Sequence, residues 1–227
     1  MDDALPPLTR AAERDRTHHL HPYTQLRQLE KDGPLVIVRG DGVHVFDEQG
    51  KRYIEGMAGL WCASLGFSEA RLVTAAHRQM QLLPYYHSFS GKVPGPVTEL
   101  VEMLIRWAPV PMARVLFANS GSESNDTAFK LVRYYNNARG RPLKKKIIAR
   151  ERGYHGVTAA AASLSGLPAM HQNFDLPLPG VVRVSAPHYY LGAKPGESEA
   201  QFVERLAAEL EDTIQREGPE TVAAFIA

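Results

Sequence analysis

Apolar and polar positions along this chain change their period, and the changes mark its elements. Between residues 35 and 55 they follow a β pattern. Leu35-Val36-Ile37-Val38, Val43-His44-Val45-Phe46 and Arg52-Tyr53-Ile54 are separated by Gly40-Asp41-Gly42 and Asp47-Glu48-Gln49-Gly50. Such turn clusters predict a small antiparallel meander. Residues 23–31 before it predict a short helix that stops at Gly33-Pro34. After it the spacing becomes helical. Ser68 is placed to cap a helix carrying Leu72, Val73, Ala76 and Met80. Val97, Leu100, Val101 and Leu104 predict the buried face of the next helix, ended by Pro109. Residues 56–66 form a small-residue loop around Trp61, and residues 82–95 an extended aromatic segment.

From Arg114 onward strand and helix patterns alternate. Val115-Leu116-Phe117 is strand-like, and Ala128, Leu131, Val132 and Tyr135 then recur as one buried helical stripe. Asn136-Asn137 and Gly140, with Pro142 beyond, supply its stop. Residues 146–149, 181–184 and 222–227 predict strands, and residues 157–164 a helix. Ser198 and Gln201 make a capping box for a helix that buries Val203, Leu206, Leu210 and Ile214. The alternation indicates an α/β protein with a mostly parallel sheet. Residues 1–16 are polar and proline-punctuated, and are expected to form a mobile arm.

The candidate chemistry sits where strand gives way to helix at Asn119-Ser120-Gly121-Ser122-Glu123. The first N–H groups of a helix lack intrahelical acceptors, and the macrodipole favours an anion there. A phosphate satisfies both. Gly121 lets an anion approach the backbone, and Ser120 or Ser122 adds a hydroxyl. The motif lacks the Gly-Lys-Ser/Thr of a nucleotide P-loop. An ordinary serine N-cap fits the same residues. A second loop, Gly153-Tyr154-His155-Gly156, follows the strand at 146–149. Ligands in open α/β sheets bind at such strand ends, where Tyr154 would lie against a flat ring. A loop tyrosine packed on its own domain is the alternative. A phosphate cup beside an aromatic plate suits a flat, phosphorylated ring.

Composition narrows the picture by exclusion. The 227 residues carry 26 Lys+Arg against 25 Asp+Glu, which gives no electrostatic case for nucleic acid or an anionic membrane. No run approaches membrane-spanning length, and no signal peptide is visible. One cysteine, Cys62, excludes an internal disulfide, so a cytoplasmic location is expected. Cys62 itself reads as a small buried hydrophobe. His18, His19 and His21 cluster, but no Cys, Asp or Glu is recognised at ligand spacing, so no metal is expected. Lys144 to Lys146 read as a solvated charge run.

The stretches Phe117-Ala-Asn-Ser-Gly-Ser-Glu-Ser-Asn-Asp-Thr-Ala128 and Gly153-Tyr-His-Gly156 resemble the class III aminotransferases, above all the amine–pyruvate (omega) transaminases. Asp41-Gly-Val-His-Val-Phe-Asp47 and Gly59-Leu-Trp-Cys62 match as well, and the likeness runs from about His21 to Ala227. It implies the type I pyridoxal-phosphate-dependent fold, with residues 17–66 in the small domain and 67–227 as an incomplete large domain. It implies a homodimer that uses pyridoxal 5'-phosphate on amine and keto-acid substrates. Ser120, Gly121 and Ser122 would hold the cofactor phosphate, Tyr154 would stack on its ring, and His155 would lie beside it. Tyr23, Trp61 and Phe89 would line the amine pocket. The Schiff-base lysine and the aspartate that pairs with the pyridine nitrogen are expected beyond Ala227, after a Glu-Pro-Val motif. An inactive truncated chain, or another class III enzyme with a different substrate, remains an alternative. Ser124 stands where the family more often has alanine.

Overall fold

The computed structural model describes residues 8–227. They divide into two compact units, the first ending at Leu100 and the second beginning at Val101.

The first unit opens with α1 (Arg10–His18), capped by Thr9, whose hydroxyl oxygen accepts from the Ala12 N–H at 3.2 Å. The same hydroxyl donates to Glu48 at 2.6 Å, tying the helix to a hairpin turn. A helix therefore stands within the stretch read as an arm; residues 1–7 of that expectation lie outside the described residues. α2 (Leu26–Asp32) follows, starting three residues later than its pattern predicted. The meander forms as expected from β1 (Ile37–Asp41), β2 (His44–Asp47) and β3 (Arg52–Ile54), antiparallel in the order β1-β2-β3. Its second turn closes on buried Asp47, whose carboxylate accepts from the Gln49 and Lys51 N–H groups and the Tyr53 hydroxyl. These donors, Tyr53 first, hold the Asp47 carboxyl below its usual range.

Residues 56–66 are not a simple loop. α3 (Ala58–Trp61) is a single turn with positive φ at Ala58, Gly59, Leu60 and Trp61. Each non-glycine residue there costs about 1–2 kcal/mol. α4 (Ala70–Leu82) is capped by Glu69, which accepts from the Arg71 N–H. Ser68 instead has φ 62° and donates to the Gly40 carbonyl at 2.8 Å, so the cap falls one residue later than expected. Leu72, Val73 and Met80 are exposed on this chain. α5 (Gly95–Trp107) crosses the boundary between the units.

The second unit is built on a three-stranded parallel sheet, β5-β4-β6. β4 (Lys146–Arg150) is its centre, between β5 (Val181–Val184) and β6 (Val222–Ile226). Ile147, Ile148 and Ala149 are buried, as an apolar run in a central parallel strand requires. α6 (Gly121–Ala138) packs on β6 and on α7 (Ala159–Leu164). Phe129, Ile147, Ala160 and Leu164 form the core cluster, with Leu178, Val181, Ala224 and Ile226 against it. A single-turn α8 (Tyr189–Gly192) precedes α9 (Glu199–Glu217), where the Ser198–Gln201 capping box is present in full.

Three expectations are corrected. Val115-Leu116-Phe117 is not paired into a sheet among the described residues, since an apolar run becomes a strand only where its backbone groups find a partner strand. On α6 Phe129 and Asn136 are buried and, of the expected stripe, Val132 is half-buried, while Ala128, Leu131 and Tyr135 are exposed. Phe129 packs on Ile147, Ala160 and Leu164, so tertiary packing rather than apolar spacing along the helix sets its buried face. On α9, Phe202 and Thr213 are the buried residues and Val203 is exposed, although Leu206, Leu210 and Ile214 are half-buried.

Candidate functional site

The site in the second unit is built where the N-terminus of α6 meets the loop after β4. Ser120 is the N-cap, and its hydroxyl oxygen accepts from the Glu123 N–H at 3.2 Å. The Glu123 carboxylate reaches back to accept from the Asn119 N–H at 2.7 Å. The capping reading therefore holds for Ser120. Among the described residues the N–H groups of Gly121 and Ser122 have no acceptor. A Cβ built on Gly121 would meet nothing within 4 Å, so that face is open to an anion.

Hydrogen bonds lock this helix end to the second loop. Ser122 Oγ accepts from the Val157 N–H at 3.1 Å. Asn125 Nδ2 donates to the His155 carbonyl at 2.7 Å. Asp126 Oδ1 accepts from the Thr158 hydroxyl at 2.7 Å and from the Ala161 N–H at 3.0 Å. Asp126 thus caps α7 from another helix, where a carboxylate is favoured by the dipole. Gly156 makes the close approach possible. Its φ is +124°, and a Cβ there would lie 2.5 Å from Ser122 Oγ and 2.9 Å from Ala161 Cβ.

Behind the loop, Arg183 on β5 donates to the carbonyls of Ser163, Leu164 and Ser165 at the end of α7. A cation suits a helix C-terminus. Ser165 Oγ in turn accepts from the His155 N–H at 2.8 Å. Burial pushes the His155 imidazole below its ordinary value, and positive Arg183 adds to the shift. Its buried Nε2 has no partner among the described residues. Tyr154, in the same loop after β4, is 53% exposed.

A neutral His155 has a consequence for stability. Its folded value lies below the unfolded one, so the unfolded chain takes up a proton first. Stability is expected to fall as pH drops below about 6.5, the ordinary imidazole value. Urea midpoints at neutral and mildly acidic pH should show that slope, and His155→Gln should flatten it.

The residues expected to line an amine pocket all lie in the first unit. Trp61 ends the left-handed turn α3 and is 72% exposed. Phe89 is 77% exposed; its N–H donates to His87 Nδ1 at 3.1 Å, and its ring lies 5.9 Å from that of His87. Tyr23 has φ 49° and is also exposed. Tyr23, Trp61 and Ser90 beside Phe89 have positive φ, as do six other non-glycine residues among those described. Cys62, expected to be buried, is exposed.

Asn125, Asp126, Thr158 and Arg183 were not recognised from the sequence. Asp126, five residues into the helix, carried the one available signal: an acid on a stripe otherwise turned inward.

The second unit thus joins the open N-terminus of a helix to an aromatic loop that follows a parallel strand. The aminotransferase class-III family model matches residues 27–227, and the chain belongs to that family. It is 57% identical to an omega transaminase from Pseudomonas jessenii, solved in complex with PMP, with a TM-score of 0.94 over 96% of this chain and 48% of that one. It is 54% identical over 209 residues to gamma aminobutyrate transaminase 1, mitochondrial, of Solanum lycopersicum, covering 92% of this chain and 41% of the relative. Vanillin aminotransferase of Capsicum chinense is also 54% identical, with 45% of its length covered. The chain thus spans less than half the length of these relatives. Among the described residues no helix is long and apolar enough to cross a membrane.

Proposed function

We propose that the protein acts as a pyridoxal-phosphate-dependent transaminase, moving an amino group from an amine or omega-amino acid to a keto acid such as pyruvate. The observation that carries this reading is the hydrogen-bonded junction of the α6 N-terminus with the loop at 153–158. On this reading the open helix end would take an anion, with the exposed Tyr154 near it in the loop. Gly121 and Ser122 would receive the phosphate on their N–H groups, with the Ser120 hydroxyl at the rim. Tyr154 would lie against the ring and His155 beside it, neutral and therefore adding no charge. When bound, pyridoxal phosphate supplies the carbonyl that receives the amino group and a ring that takes up electron density. Tyr23, Trp61 and Phe89 would line the amine subsite, while the covalent lysine and its partner aspartate would lie beyond Ala227.

The working unit on this reading is a cytoplasmic homodimer, with residues 67–227 belonging to the large domain. The apolar side chains exposed on α4 and α6, such as Leu72, Val73, Leu131 and Tyr135, support burial against further protein.

Titrating the purified chain with pyridoxal phosphate, with inorganic phosphate as competitor, tests the cup. Competition is expected; binding indifferent to phosphate would overturn the assignment of Gly121 and Ser122. Transamination is tested in the complete protein by alanine formation from pyruvate and an omega-amino acid. In that protein Tyr154→Ala should weaken cofactor binding by about tenfold, the value of an aromatic stack. Unchanged affinity would remove Tyr154 from the role.

A further inference from the structure

We propose that Asp15, His19 and His21 form a site for a divalent metal ion of the zinc class. Asp15 lies on the last turns of α1, and His19 is the C-cap, its N–H donating to the Asp15 carbonyl at 2.8 Å. Residues four apart on a helix stand one above the other, so the carboxylate and the His19 ring meet. His21 comes in from beyond the cap. His19 Nδ1 lies 2.8 Å from Asp15 Oδ1, and His21 Nε2 lies 2.6 Å from Asp15 Oδ2. The two rings are tilted by 42° with centroids 4.2 Å apart. All three donor atoms fall within 4.8 Å of one another.

Two imidazoles and one carboxylate, with a fourth position left to water, are a donor set zinc accepts. Tetrahedral bonds of about 2.0–2.1 Å set the donors about 3.3 Å apart. The contacts of 2.8 Å and 2.6 Å, made to the two different carboxylate oxygens, would have to open by about 0.5–0.7 Å, and donors now as far as 4.8 Å apart would have to close toward the same separation, by side-chain rotation. A metal would take the place of the ring protons now shared with Asp15, and each ring would keep its proton on the opposite nitrogen, Nε2 of His19 and Nδ1 of His21. Arg16 is paired with Glu13 at 2.9 Å and does not occupy the carboxylate. The bound ion would staple the end of α1 to the segment that leads into Tyr23.

The test is a Co²⁺ titration of the tag-free chain, read by visible absorption and by displacement with Zn²⁺. About one equivalent of Co²⁺ is expected to produce absorption that Zn²⁺ bleaches. Asp15→Asn and His21→Gln should each weaken binding about tenfold or more, whereas His18→Gln should change it less than about twofold. Circular dichroism of each variant confirms that α1 is retained. Binding that survives Asp15→Asn, or that falls as far with His18→Gln as with His21→Gln, would be that of a histidine run and would overturn the proposal. So would an absence of Co²⁺ absorption.

Discussion

Gly156→Ala is expected to destabilise the second unit by about 3 kcal/mol and to abolish pyridoxal-phosphate binding. Two costs combine. A φ of +124° is one that side-chain-bearing residues rarely adopt, and the added Cβ has no room. It would press on Ser122 Oγ, Ser122 Cα and Ala161 Cβ at once, all within 2.9 Å. The surroundings yield only by pushing α6 away from the loop, which breaks the Ser122–Val157 bond and opens the cup. Urea unfolding gives the stability, and titration with the cofactor gives the binding. Gly121→Ala is the matching control. Its Cβ meets nothing, so stability should hold while phosphate binding weakens. Equal stability of both variants would show that the junction is not close-packed.

Arg183→Met is expected to cost about 3 kcal/mol, although Arg183 touches neither the cup nor Tyr154. Its guanidinium serves three carbonyls at the end of α7. Methionine would fill much of the volume but leave those acceptors unpaired, and part-buried orphaned acceptors carry the full desolvation penalty. Ser165, one of the three, also holds the His155 backbone through its hydroxyl. The loss should therefore spread to cofactor affinity. The same variant should raise the titration midpoint of His155, since a nearby positive charge is removed. Histidine proton shifts followed by NMR through the titration would show it. An unmoved His155 would mean that burial alone sets its protonation.

The elements whose patterns could be read correctly are those that depend on near neighbours. The Ser198–Gln201 box, the meander with its glycine turns and the apolar run of β4 each close their hydrogen bonds, or bury their side chains, as the local spacing foretells. The Ser120 cap was legible for the same reason, as its partner Glu123 lies three residues away. Failures came where a distant partner decided the outcome. Ser68 looked like a cap until the Gly40 carbonyl claimed its hydroxyl. The polar, proline-punctuated pattern of residues 1–16 does not show Asp15 as a neighbour of the histidines, since only a helix brings positions 15 and 19 together.

Local sequence was enough for an α/β order of elements, a Ser120-capped helix N-terminus and an aromatic loop after the central strand. Local propensity, capping and short-range periodicity suffice for each of these. Only the tertiary structure decided which face of α6 is buried, that Asn125 and Asp126 reach residues thirty and more positions away, and that Arg183 closes α7. Such polar ties have no period. They arise when packing removes water from a donor and an acceptor that then have only each other, and that pairing exists only once the chain has folded.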